Sequence, residues 1–196
     1  MSAARIALNR FGLGANPDEP IPSDPKKWLT GQFARFEARP AAKLLVPADG
    51  ARIAMIETTG WDTHAQQRGR LGLQLAGLDG MIGALQAGLG ALWADSMVLV
   101  ATEFGRTVAL NGTGGTDHGT ASCAMLVGGA VRGGRVIADW PGLAPAALYE
   151  GRDLKPTTPL DGFIGGAVAG HFGIDPARLM PVLFPGTTNK GLAGIA

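Results

Sequence analysis

The stretch Val98–Gly119, VLVATEFGRTVALNGTGGTDHG, constrains this chain more than any other. It reads as a buried strand over 97–102 whose exit carries Glu103 and Arg106, then a glycine-rich loop, then an Asp117-His118-Gly119 turn. An apolar run that stops at an acid, a base and an imidazole is the pattern of a sheet edge that carries chemistry. Gly60-Trp61-Asp62-Thr63-His64 repeats that order after the apolar run Arg52–Glu57. Two strand ends that offer Asp, Glu and His point to a metal or anion site.

Between the two ends lies one long helical pattern, Gln66–Ala94. Leu71, Leu75, Leu78, Ile82, Leu85, Leu89 and Leu92 alternate steps of four and three, the stripe of a helix that faces a core. Seven glycines interrupt it, each costing about 1 kcal/mol against alanine, and close packing on a sheet would account for some of them. Strand, long crossover helix and strand together predict a parallel pairing, hence an α/β fold. Further strands are expected over Ala121–Val127 and Arg135–Ala138. A helix is expected over Pro159–Phe172 with Leu160, Phe163, Ile164, Ala167, Val168 and Phe172 inward, and a last short helix begins at Asp175-Pro176.

Composition excludes several function classes. A net charge of +1 and the lack of a basic cluster interleaved with aromatics argue against nucleic acid as a partner. No uninterrupted apolar run approaches the roughly 20 residues that span a bilayer, so no membrane span is expected. The N-terminus lacks a basic stretch followed by an apolar region, so the chain as written reads as cytoplasmic. The lone Cys123 excludes an intrachain disulfide, and its setting in SCAMLV predicts a buried small residue.

Residues 1–40 differ in character from the remainder. Ser2 can cap a helix over Ala3–Phe11, the proline-rich NPDEPIPSDP makes a linker, and Ser23 or Asp24 caps a second helix, Pro25–Phe36, with Trp28, Leu29, Phe33 and Phe36 as its apolar stripe. ALNRFGLGANP followed by DPKKWLTGQF resembles the start of the DUF1800 family, a largely helical family of unknown function.

From about residue 41 to 190, the motifs GWDTH, LDGMIGAL, TEFGRT, NGTGGTDHG, LVGGAVRGGRV, WPGL and FPG resemble, in order, the C-terminal half of a second uncharacterised family, DUF1501. That family is similar to the alkaline-phosphatase and sulfatase superfamily. The resemblance therefore implies a partial three-layer α/β/α sandwich over 41–196, preceded by a helical appendage over 1–40. It also implies a divalent transition metal (zinc, manganese or iron) and hydrolysis of small anionic phosphate or sulfate esters. Full-length relatives are expected to be exported. Carried over by position, Asp62 and His64 resemble one metal-binding pair and His118 the histidine of a later loop. Glu103-Phe104 stands where that superfamily has an Asp-His pair, so a carboxylate remains and the imidazole does not. In a second alignment Asp117-His118 is itself that pair. Arg106 would clamp an anionic group, and Asn111 with the glycines at 112, 114 and 115 would offer it further donors.

Blander roles fit the same residues. His64 can cap the helix that follows, and Glu103 with Arg106 can form a structural ion pair. His171 and Asp79 read as packing residues. No nucleophile carries a matching motif, and the N-terminal half that would bring one is replaced by the residue 1–40 segment. The chain thus also reads as a composite of two families. Such a composite could be a non-catalytic scaffold or an inactive truncation, with an incomplete sheet edge open to self-association or a partner.

Overall fold

The structure is a computed structural model that describes residues 23–24 and 38–195. The two helices expected over Ala3–Phe11 and Pro25–Phe36, with nearly all of the DUF1800-like segment, lie outside the described residues. The chain divides into two compact units, Met1–Gly90 and Ala91–Ala196.

In the first unit, residues 38–45 are helical, and a tight turn follows in which the Gly50 and Ala51 amides donate to Pro47 and Leu44 carbonyls at 2.8 and 3.0 Å. Residues 51–65 then lead to helix α1, Gln67–Leu89. The expected strand Arg52–Glu57 does not form. Its apolar side chains face solvent, with Ile53 72% and Met55 93% exposed, and the described part of this unit holds no other strand to share a ladder with it. An extended segment with no partner edge has no sheet to join.

Helix α1 forms where the leucine spacing predicts it, but its stripe is covered only toward the C-terminal end. Leu78, Met81, Leu85 and Leu89 are buried, whereas Leu75 is 48% exposed. The glycines divide the same way. A Cβ at Gly88 would meet the Cβ of Ala42 at 2.8 Å, whereas one at Gly69, Gly72, Gly77, Gly80 or Gly83 would meet nothing within 4 Å. Close packing therefore accounts for Gly88 alone. A 3-10 turn, Gly90–Asp95, follows in the chain. The whole run Gln67–Asp95 is long and apolar enough to cross a membrane by length and composition. That differs from the count of uninterrupted apolar residues, because glycine and alanine keep the average apolar around Gln74, Asp79 and Gln86. The core helix of a soluble protein passes the same test.

The second unit is mixed α/β. Strand β1, Val98–Val100, pairs with β4, Met125–Val127, and β2, Gly105–Arg106, pairs with β3, His118–Gly119. Both ladders are antiparallel, with Leu99 opposite Leu126 and Arg106 opposite His118. The expected parallel pairing is thus replaced by two small antiparallel sheets. Glycine makes each one possible. A Cβ at Gly105 would strike the backbone of Ala121, and one at Gly119 that of Arg106 and Thr107. Gly128, at φ 146°, and Gly129 let the chain leaving β4 cross the end of the 3-10 turn, where the Gly129 amide donates to Trp93 at 3.1 Å. Arg135–Ala138 forms no strand. The Arg135 guanidinium instead donates to the carbonyls of Gly194 and Ile195 at 3.1 and 3.3 Å, which fastens the chain's end.

Helix α2, Leu160–Phe172, and helix α3, Pro176–Leu183, close the unit. The side of α2 that is buried is its small one: Gly162, Gly165, Gly166, Ala167 and Ala169, with Leu160 and Phe172 40% and 38% exposed. The C-terminal segment explains the inversion. Its Leu192 amide donates to the Gly162 carbonyl at 2.8 Å, and its backbone crosses Gly166 where a Cβ would collide. Met180 of α3 fills the space over Gly165. Asp175 caps α3 by accepting from the Ala177 amide at 2.9 Å.

Asp161, in the first turn of α2, ties the same segment down. It accepts from the Thr187 hydroxyl and from the Asn189 amide at 2.9 and 3.0 Å. The Thr187 bond first, then those of Asn189 and the Gly162 N–H, hold its carboxyl below the ordinary value of 3.8 against the opposing effect of burial. A carboxyl with a lowered folded pKa contributes stability that is fully present above its unfolded value and is lost as pH falls through the folded one. The stability of the wild type should therefore drop more steeply below about pH 4 than that of Asp161→Ala, as read by urea unfolding at stepped pH. Gly77→Ala and Gly80→Ala, on the open side of α1, should each stabilise by about 0.4–1 kcal/mol, seen as a higher denaturation midpoint by circular dichroism.

Candidate functional site

The first unit carries Asp62 and His64 on a loop that α1 holds from beneath. Thr63 between them is buried, and its hydroxyl donates to the Gln67 side chain at 3.0 Å. The Gln74 amide donates to the Thr59 carbonyl at 2.7 Å and lies where a Cβ on Gly60, at φ 89°, would collide. The Trp61 indole donates to the Thr58 hydroxyl at 2.8 Å. With Thr63 turned inward, extended backbone turns its two neighbours outward together. Asp62 Oδ1 and His64 Nε2 lie 3.0 Å apart, both about half exposed. His64 does not cap α1, whose N-cap is Gln66 in left-handed conformation with no side-chain cap.

The second unit builds its part of the candidate set on the β2–β3 ladder. The Asn111 side chain organises the loop between these strands. Its oxygen accepts from the Thr113 amide (3.0 Å), the Thr113 hydroxyl (2.9 Å) and the Gly115 amide (3.1 Å), and its nitrogen donates to Asp117 Oδ1 at 3.0 Å. The Asn111 amide and the Gly115 N–H, expected to meet an anion, thus serve the loop itself. Thr107 closes the other side, its amide donating to the Asp117 carbonyl at 3.0 Å and its hydroxyl accepting from the Asp117 amide at 3.1 Å.

His118 leaves this loop opposite Arg106. Its ring stacks on Phe104 with centroids 5.4 Å apart and planes 25° from parallel. The Arg106 guanidinium lies 4.9 Å from the same Phe104 ring and donates to the Thr116 carbonyl at 2.9 Å. Phe104, which stands where the superfamily pattern has an imidazole, therefore orients an imidazole and a guanidinium instead. Glu103 beside it is exposed. In the first unit Asp62 and His64 are exposed, and so, in the second, is His118.

No motif in the sequence marks Asp153. It is 3% exposed and bridges to both Thr107 and Tyr149. Its Oδ2 accepts from the Thr120 hydroxyl at 2.8 Å and from Arg152 at 3.2 Å, while Oδ1 sits 2.9 Å from Arg152 Nε without a hydrogen bond's alignment. Burial works to raise this carboxyl, but the Thr120 and Arg152 hydrogen bonds and the Arg152 charge outweigh it and hold the pKa below the ordinary value. Asp153 braces the strand that carries Arg106, and no local motif announces it, because Thr120 lies 33 positions away. Cys123, expected to be buried, is exposed. His171 packs edge-on against Phe172 at 4.8 Å, within α2 and away from the ladder residues in sequence.

Residues 9–170 match the family described as "Protein of unknown function (DUF1501)". The chain belongs to the DUF1501 family. The matched span takes in most of the first 40 residues as well as every motif quoted for that family through the helix at 160–170. No curated protein and no solved structure matches the chain. Within this DUF1501 protein, Asn111→Ala should remove three acceptor contacts from the loop that carries His118. The expected cost is about 1 kcal/mol, with faster hydrogen exchange at the Thr113 and Gly115 amides and unchanged exchange in α2.

Proposed function

We propose that this DUF1501 protein is a metal-dependent hydrolase of phosphate or sulfate esters, on the reading that its family is similar to the alkaline-phosphatase and sulfatase superfamily with its three-layer sandwich. The observation that carries the proposal is the Asp62–His64 pair, whose donor atoms stand 3.0 Å apart on an exposed loop that Gln67 and Gln74 hold. A carboxylate with imidazoles is a donor set that suits zinc, manganese or iron. In this reading Asp62 and His64 would hold the ion, and the superfamily resemblance adds His118, with Glu103 or Asp117 as a further carboxylate, as candidate ligands. Bound there, the ion would supply Lewis-acid polarisation of the ester's phosphoryl or sulfuryl oxygen and would lower the pKa of a bound water. Phe104 keeps the His118 ring oriented, and Arg106 pairs with the anionic ester oxygens.

A second reading is a non-catalytic scaffold or an inactive composite chain. The exposure of Met55 and Val136, at 93% and 94%, favours it, since apolar side chains that open invite a partner.

Metal analysis of the purified protein separates the two readings. The hydrolase reading expects about one equivalent of zinc, manganese or iron in the wild type, lost in Asp62→Ala and in His64→Ala while the circular dichroism spectrum stays unchanged. It also expects turnover of 4-nitrophenyl phosphate or sulfate that a chelator abolishes. A wild type free of transition metal after incubation with each ion would sink it and leave the scaffold reading standing.

A further inference from the structure

The second unit has an open surface cavity of about 370 Å³, shallow and broadly exposed to solvent, on the flank of the β2–β3 ladder. It is formed by three separate stretches of chain, around Arg106–Val108, Ala121–Cys123 and Trp140–Leu154. The volume falls in the range of about 300–1,000 Å³ typical of small-molecule sites, more than an inorganic oxyanion needs. Its lining is chiefly apolar, with Val108, Trp140, Leu143 and Leu154 contributing, and Arg106 is its one charged residue.

Two of these apolar residues stand open to solvent. Trp140 is 60% and Leu143 54% exposed, and the Pro141-Gly142 turn between them places Gly142 at φ 90°. An indole held open to water beside a turn is costly unless something apolar covers it. Arg106, also in the lining, has its guanidinium oriented by the Thr116 carbonyl and by Phe104. The lining thus includes a cation and an aromatic side chain, a pairing that fits an anionic head on an apolar body. Arg106 is also the residue opposite His118, one of the candidate ligands of the proposed ion.

We propose that this cavity binds the apolar alcohol portion of a phosphate or sulfate ester, with Arg106 meeting the anionic group and Trp140 covering the apolar one. The proposal rests on the ester-hydrolase reading and names the substrate class of that site: anionic esters of apolar, planar alcohols.

The test is isothermal titration of metal-stripped protein, so that no turnover intervenes. The ligands are 2-naphthyl phosphate, 2-naphthyl sulfate, inorganic phosphate, inorganic sulfate and 2-naphthol. The naphthyl esters should bind at least about tenfold tighter than either the inorganic anions or 2-naphthol. The preferred ester arm identifies the head group. Trp140→Ala should weaken the esters by about tenfold and leave the inorganic anions unchanged, and Trp140→Phe should restore most of the loss. Arg106→Ala should weaken the esters and leave 2-naphthol unchanged. Equal affinity for esters and inorganic anions, or an ester affinity indifferent to Trp140→Ala in a variant with wild-type circular dichroism, overturns the proposal. Ester binding with no metal uptake overturns the hydrolase reading alone, and metal uptake with no ester preference overturns the cavity alone.

Discussion

The Asn111 carboxamide is the interaction on which the ladder residues depend. A ladder of two residues on each strand cannot hold its own register, because so few backbone bonds do not repay the entropy of closing the loop between the strands. Asn111 supplies the difference by accepting three bonds from Thr113 and Gly115 and donating one to Asp117. With the loop closed, Thr107 and Asp117 bond each other from both sides, and Arg106 comes to stand opposite His118. Asp153 then fixes the outer edge, where Thr120 and Arg152 keep its buried carboxylate charged.

Glycine is used in two ways in this protein. At Gly105, Gly119, Gly129 and Gly166 it lets one backbone pass against another, and any side chain there would collide with main-chain atoms that cannot yield. Along the open part of α1 it makes no such contact, and there it costs helix stability with no packing in return. The same residue type is a structural requirement at the close approaches and a local weakness along the open part of α1.

Legibility from sequence followed the range of the interactions. Helices α1, α2 and α3 were readable because their signals are local: leucine spacing, Pro159 before the first turn of α2, Asp175 as a cap. The strands at 98–100 and 125–127 were also visible as apolar runs, though their partners were not. Antiparallel pairing in place of parallel, and the failure of residues 52–57 and 135–138 to form strands, depend on which edges are available, and an apolar run says nothing about its neighbour. The buried side of α2 was read only in part, Ala167 being buried as expected. Large side chains ordinarily mark the core, but here a crossing backbone takes the small side and leaves Leu160 and Phe172 partly exposed.

The sequence by itself determined the residue types at the candidate site, their order along the chain and the family, because motifs are contiguous and the match spans residues 9–170. It also determined that Asp62 and His64 stand two apart, which in extended backbone puts them on one side. Tertiary structure alone decided that Thr63 anchors that pair, that Phe104 orients His118 and Arg106, that Asn111 serves its own loop, and that Trp140 and Arg106 line one cavity. Each of these needs groups brought together by folding across intervals that no local pattern encodes, and each is settled by packing and hydrogen-bond geometry, not by the propensity of any one residue.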